Sequence, residues 1–321
     1  MKPRSLHPSG LILLAAAIVA ACLLALERLR PVRARLANDR LRFAVCQYDS
    51  RPDAYDWNLR HALAYAQEAA DHDAGFVILP EYSFCTADDA LNGDAFRFFR
   101  RNAKRIERRL SRFSRRNRCY LLVNVLHEDP DRKGDDGTAV RRNRSMLFAP
   151  SGDLVRIYDK RQTAILDEVA GIGASADEAL VELPFGTIGL MVCRDASYPE
   201  SFPSYRKADV VAVQFAHITD WTEDRERDPV WLTNDMATSQ VDLPRIGKRL
   251  ARTFARPFAL FANKTGFEPN GGFTGGACAI SKKGDVVAQA GFGSDILYVD
   301  APLDESGRLT GGDPVPFHPD R

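Results

Sequence analysis

The 321-residue chain has no CxxC pair, no HExxH motif and no cluster of cysteine and histidine at zinc-binding spacing. The sequence therefore supports no metal site. Its six cysteines are scattered singly, most of them inside apolar runs such as "FAVC" and "CYLLVNV". Thiols in such runs behave as small buried hydrophobes, which argues against a disulfide framework. The formal net charge is only +1, so the chain as a whole has no pull toward a polyanion and no nucleic-acid partner is expected. "GGFTGG" (271–276) lacks the Lys-Ser/Thr pair of a phosphate loop and reads as a glycine-rich turn. No internal repeat and no interior linker appears, and 45% hydrophobic content can fill one large core.

Two segments concentrate what the whole chain lacks. Between a basic N-terminal segment (1–8) and a basic linker (27–41), residues 9–26 contain the uncharged run "GLILLAAAIVAACLLAL". Its length is at the short end for a spanning helix, which needs about 17–25 residues. Three readings compete: an uncleaved transmembrane anchor, a cleaved signal peptide, and a lipoprotein signal in which "VAAC" ends at Cys22. The run continues past Cys22 through "LLAL", which favours a single-pass anchor. Arginines are denser after the run (Arg28, Arg30, Arg33, Arg35) than basic residues before it (Lys2, Arg4). By the positive-inside rule this leans toward a cytoplasmic catalytic domain at the membrane.

The second segment, "DAFRFFRRNAKRIERRLSRFSRRN", is a strongly periodic helix. Phe96, Phe99, Ala103, Ile106, Leu110 and Phe113 form its apolar stripe, and arginines crowd the opposite face. That face reads as solvated, or as a contact for anionic lipid headgroups.

Around it, short β-rich runs alternate with helical ones. Strands are expected at 42–49, 76–80, 119–126, 144–149, 153–160, 186–193 and 208–215. A helix is expected between the first two, and a longer helical stretch around 229–256. "GGACAISKKGDVVAQAG" reads as a hairpin turning at "KKGD", and "DILYVD" closes a domain over 42–300. Residues 301–321 read as an extended tail. Strand, helix, strand near the start implies an α/β layered fold.

Three of these strands end in residues with chemistry: Glu81 after "FVILP", Lys160 after "LVRIYD" and Cys193 after "GLMV". Ligands of α/β sheets bind at the carboxyl ends of strands, so the three residues can share a crevice. Each is weak evidence alone. Together they supply a nucleophile, a general base for its proton and a cation for an oxyanion, the last helped by the backbone N–H of Arg194. Cys85 lies four residues past Glu81 but lacks the strand-to-turn setting of Cys193.

At these motifs the chain resembles the carbon–nitrogen hydrolase, or nitrilase, superfamily, whose catalytic Glu, Lys and Cys occur in this order. "ILPEYSF", "LVRIYDK" and "GLMVCRDASYPE" match the three segments. "RNRSMLFAPSGDLVRIYDK" and "ALFANKTG" are weaker echoes, and the match runs from about 43 to 300. The resemblance implies an α-β-β-α sandwich that dimerises sandwich on sandwich and uses no metal or organic cofactor. It implies hydrolysis of a small-molecule amide, ureide or related non-peptide C–N bond through a cysteine thioester.

The resemblance also places a second glutamate eight residues after the lysine, here Glu168, as a substrate-positioning group. Two departures stand out: Arg194 follows the nucleophile where relatives often carry an aromatic residue, and "RQTAILDE" replaces the usual segment after the lysine. Arg194 is read as a contact for an anionic substrate group, and Tyr82 and His217 as further pocket residues. Two alternatives use the same scaffold. One is a thiol-dependent N-acyltransferase, whose family branch carries many spanning helices. The other is a non-catalytic binding protein, against which the intact triad argues.

Overall fold

The computed structural model describes residues 34, 39–134, 137–219, 229–269 and 271–319. The chain divides into Met1–Arg33 and Ala34–Arg321, and everything below concerns the second unit. The expected anchor helix at 9–26 lies outside the described residues. Among the described residues no helix is long and apolar enough to cross a membrane.

In chain order the first strands are β1 (Arg40–Gln47), β2 (Phe76–Ile78), β3 (Tyr120–Lys133), β4 (Ala139–Phe148) and β5 (Leu154–Asp159). Next come β6 (Ala179–Leu183), β7 (Gly186–Val192), β8 (Val210–Gln214), β9 (Ile218–Thr219) and β10 (Phe258–Ala262). The last are β11 (Thr265–Glu268), β12 (Gly271–Thr274), β13 (Cys278–Ile280), β14 (Val286–Gln289), β15 (Asp295–Pro302) and β16 (Val315–Phe317). The helices are α1 (Tyr55–Asp71), α2 (Ala87–Leu91), α3 (Asp94–Asn117), α4 (Ile165–Val169) and α5 (Pro229–Phe254).

Two sheets dominate. The first has the order β16-β15-β1-β2-β3-β4-β5 and the second β14-β13-β10-β8-β7-β6, with a small third sheet β11-β12-β9. Strand alternation gives each large sheet two apolar faces. Phe43, Val45, Phe76, Ile78 and Leu122 point from the first sheet toward Leu190, Val192, Val210 and Leu260 of the second. The intervening residues Ala44, Cys46, Val77, Leu121 and Val123 point the other way, onto Leu59, Leu63, Phe96, Phe99 and Leu110 of α1 and α3. On the far side α5 approaches the second sheet closely at Gly247, where an added Cβ would stand 2.5 Å from Ile280 Cγ1. The layers are thus helix, sheet, sheet, helix, as the resemblance implies for this region.

Strand direction sets where the site forms. β1, β2 and β3 are mutually parallel, and β4 runs against them. β5 is antiparallel to β4, so it ends at the same edge as β2. In the second sheet β7, β8 and β10 are parallel to one another. Near that edge a polar bridge spans the sheets: Ser145 Oγ donates to Gln214 Oε1 (2.6 Å), and Gln214 Nε2 donates to the Leu79 carbonyl (2.7 Å).

Two boundaries differ from expectation. The strand expected at 119–126 runs on through "DPDRK" to Lys133, because the long β3–β4 hairpin keeps pairing to Lys133↔Ala139. The C-terminal residues are not all a tail, since β15 reaches Pro302 and β16 pairs with it. Arg42 forms an ion pair with Asp300 and stacks 3.3 Å over the Phe317 ring. That cation–π contact helps hold β16 on the sheet.

Candidate active site

Glu81 is 1% exposed at the end of the apolar segment that follows β2. Its Oε1 accepts from Asn143 Nδ2 (2.7 Å) and Lys160 Nζ (2.9 Å), and its Oε2 from the Ala216 backbone N–H (2.9 Å). Lys160 directly follows β5, is equally buried, and also contacts Asp167 Oδ2 at 2.7 Å. One ammonium thus serves two buried carboxylates. Burial by itself lowers the Lys160 pKa, but the negative charge of Glu81 and Asp167 outweighs it and holds the group well above the usual lysine range. Burial pushes the Glu81 carboxyl up, against the pull of Lys160.

Cys193 directly follows β7 and begins a turn of 3₁₀-helix, Cys193–Ser197. Its φ is +47°, and that of Tyr82 is +52°. Neither residue is glycine, so both backbones sit in a region that costs about 1–3 kcal/mol each and that clusters at functional sites. Burial pushes the Cys193 thiol up, with the neighbouring Glu81 charge adding to it and Lys160 opposing. These effects favour the protonated thiol at rest, with the Glu81 carboxylate in the same pocket.

Asp195 clamps this turn to the end of β5. Its Oδ2 accepts from the Val192 N–H (2.9 Å) and the Tyr158 hydroxyl (2.7 Å), and its Oδ1 from the N–H groups of Arg161 (3.2 Å) and Gln162 (2.7 Å). The segments carrying Cys193 and Lys160 are so held together by one wholly buried carboxyl group. Burial pushes its pKa up to about 6 despite these donors.

Glu81, Lys160 and Cys193 line one pocket of about 230 Å³. Tyr82, Arg194 and His217 line it too. Tyr82 is fixed by its N–H to Asn124 Oδ1 (2.8 Å), and its hydroxyl points at Asp167 Oδ1 (3.4 Å). Arg194 is exposed at the mouth, where its Nη2 donates to the Tyr198 hydroxyl (3.2 Å). His217 forms a wall, with Nε2 3.6 Å from Asp242 Oδ2.

Glu168 is not among the residues that line the pocket. It is exposed, and its Oε1 accepts from Thr163 Oγ1 (3.2 Å). The buried carboxylate at the site is its neighbour Asp167, which also caps α4 by accepting from the Ala164 N–H (2.8 Å). Adjacent helical residues point about 100° apart, so only one of the two can face inward.

Asn143 and Asn124 are site residues that sequence reasoning did not select. Asn143 Nδ2 bridges Glu81 and Asp167 Oδ1 (3.2 Å), while its Oδ1 accepts from Asn124 Nδ2 (2.7 Å). A signal existed: in β4 the buried alternate positions are Asn143, Ser145 and Leu147, and two polar residues on an apolar face ask for a buried partner. Cys85 lies apart, wholly buried, with its carbonyl accepting from Lys264 Nζ (2.8 Å). Lys264 also pairs with Glu268 (2.9 Å), which accepts from the Ala87 N–H (2.6 Å), so this second ion pair braces the loop after Glu81. Among the described residues no three His, Cys, Asp or Glu side chains are grouped to hold a metal ion.

A family model described as carbon-nitrogen hydrolase matches residues 42–309. No curated protein matches the chain. Among solved structures, a variant of the Nesterenkonia AN1 amidase from the nitrilase superfamily superposes with a TM-score of 0.65 at 19% identity, covering 85% of this chain and 94% of that one. An amidase from Nesterenkonia sp. superposes at 0.64, with 19% identity and the same coverage. A variant of the AN1 enzyme showing covalent addition of the acetamide moiety of fluoroacetamide at its active site cysteine gives 0.65 at 19% identity, over 83% of this chain and 92% of that one. At such identity these likenesses speak for the fold.

Proposed function

The chain belongs to the carbon–nitrogen hydrolase family, and from that membership and the buried geometry of its pocket we propose an amidase-type hydrolase, tethered to the membrane by its N-terminal apolar run. It cleaves a small amide, ureide or related non-peptide C–N bond. The supporting observation is a thiol at a strand end of positive φ that lines one pocket with a buried carboxylate and the buried ammonium paired to it.

The chemistry follows from that arrangement. Cys193 Sγ attacks the amide carbon as its proton passes to Glu81, whose raised pKa makes it the stronger base. The tetrahedral oxyanion is stabilised by the Lys160 ammonium and by the Arg194 backbone N–H. Glu81 returns the proton to the departing nitrogen, the C–N bond breaks, and ammonia or an amine leaves behind a Cys193 thioester. Glu81 then takes a proton from water, which attacks the thioester carbonyl, and the released thiolate recovers that proton as the acid departs. Asp167 and Asn143 position Lys160 and Glu81, and Tyr82 and His217 shape the pocket. Arg194, exposed at the mouth without an acidic partner among the described residues, selects an anionic substrate group.

A second copy packing sandwich on sandwich is part of this reading. The test is release of ammonia from a panel of amides and ureides by the full-length protein beside Cys193→Ala. Release that persists in Cys193→Ala overturns the mechanism. Product acylated on an added amine, in place of free acid, would assign acyl transfer instead.

A further inference from the structure

Away from the pocket, a groove of about 660 Å³ runs between α1 and α3. Arg60 of α1 and Arg109, Arg112 and Arg116 of α3 surround it, over a floor that includes Leu63 and Phe113. The groove is one part of a larger basic face. α3 carries ten basic and two acidic side chains, in a chain whose net charge is only +1.

Three of those cations are matched: Arg97 by Asp94, Arg100 by Glu128 and Arg105 by Asp56. Arg101, Arg108, Arg112 and Arg116 are exposed and have no acidic partner among the described residues. Their spacings of seven, four and four residues put them on one side of a helix about 36 Å long. Like charges so placed repel one another. What relieves them is negative charge arrayed over a comparable length, which a single bound phosphate is not.

We propose that this face docks on a bilayer surface rich in anionic phospholipid, with a headgroup phosphate seated among Arg60, Arg109, Arg112 and Arg116. The stripe offers no exposed aromatic side chain on which nucleic-acid bases could stack. The tether proposed above supplies a bilayer as the anionic surface for this face. The choice of a lipid partner rests on the tether proposed above, whereas the basic face does not, and neither depends on the catalytic assignment.

The experiment is amide hydrogen exchange across 94–117 in the full-length protein on phosphatidylcholine vesicles with and without phosphatidylglycerol. Exchange is expected to slow several-fold when phosphatidylglycerol is present and to recover at high salt. Each arginine beside an anionic surface contributes roughly fivefold in affinity, so Arg109→Gln/Arg112→Gln/Arg116→Gln should abolish the effect while leaving amide hydrolysis intact. Equal exchange on both vesicles overturns the proposal. So does stronger protection of the same helix by a single-stranded oligonucleotide, which would identify a nucleic-acid surface. Failure to associate with phosphatidylcholine alone overturns the tether, and the phosphatidylglycerol comparison still decides the face.

Discussion

Lys160 Nζ lies 2.9 Å from Glu81 Oε1, and neither side chain is more than 2% exposed. A pair this deeply buried is strongly destabilised by loss of one member, because the other charge is then stranded. Loss of the lysine would strand Asp167 as well.

Lys160→Met is therefore expected to destabilise the fold by about 3–5 kcal/mol, lowering the thermal midpoint by many degrees. Glu81→Gln should be much milder, since Lys160 keeps Asp167 and the amide can still meet Asn143. It should nonetheless lose about 10²–10⁴ in rate, as expected when a general base is removed. Calorimetry beside an ammonia assay separates the two, and equal destabilisation by both would refute this account of the pair.

Asp167→Asn should weaken hydrolysis at least tenfold, whereas Glu168→Gln should stay within about twofold of wild type, as for surface changes away from special features. Steady-state rates on one amide suffice. The reverse ranking would mean that α4 turns its other side to the substrate.

Asp195 makes stability depend on pH. Its pKa stands at about 6 in the fold against 3.8 for an ordinary aspartate, so between these values the folded chain holds a proton that the unfolded chain has lost. The linkage slope is then negative. Asp195's favourable share is full below the lower value and is lost as pH rises through the upper one, by about 3 kcal/mol in all at 1.36 kcal/mol per unit. Urea melts of wild type and Asp195→Asn across that window should show wild type losing ground to the variant as pH rises. A gap that stays constant, or changes in wild type's favour, contradicts the burial argument.

Arg194→Ala should lower kcat/KM for an amide bearing a carboxylate by about tenfold, a typical loss for a charge-assisted contact, and leave a neutral amide unchanged. Parallel losses on both would shift Arg194 from recognition to support of the turn after Cys193.

How much of this was legible in the sequence follows the range of the forces involved. Hydrophobic alternation and strand-end residues are local properties, so most strands of the two large sheets, the amphipathic α3 and the strand-end trio Glu81, Lys160 and Cys193 were readable from the chain. Adding β16 to β15 depends on partners such as Tyr298 and Phe317, far apart along the chain, and a Pro-, Gly- and Asp-rich stretch shows no periodicity to announce it. The choice of Asp167 over Glu168 turned on which side of a one-turn helix docks, and adjacent residues there point in different directions.

The sequence by itself determined the chemical groups and their order along the chain, because strand ends in a layered sheet are a matter of periodicity and spacing. Only the tertiary structure decided how they are held: one ammonium between two carboxylates, Asn143 bridging those carboxylates, and Asp195 clamping the Cys193 turn to the end of β5. Each of these contacts joins residues from different elements. Their energies come from sharing a buried site that forms only when both sheets close, and no local run of sequence contains that condition.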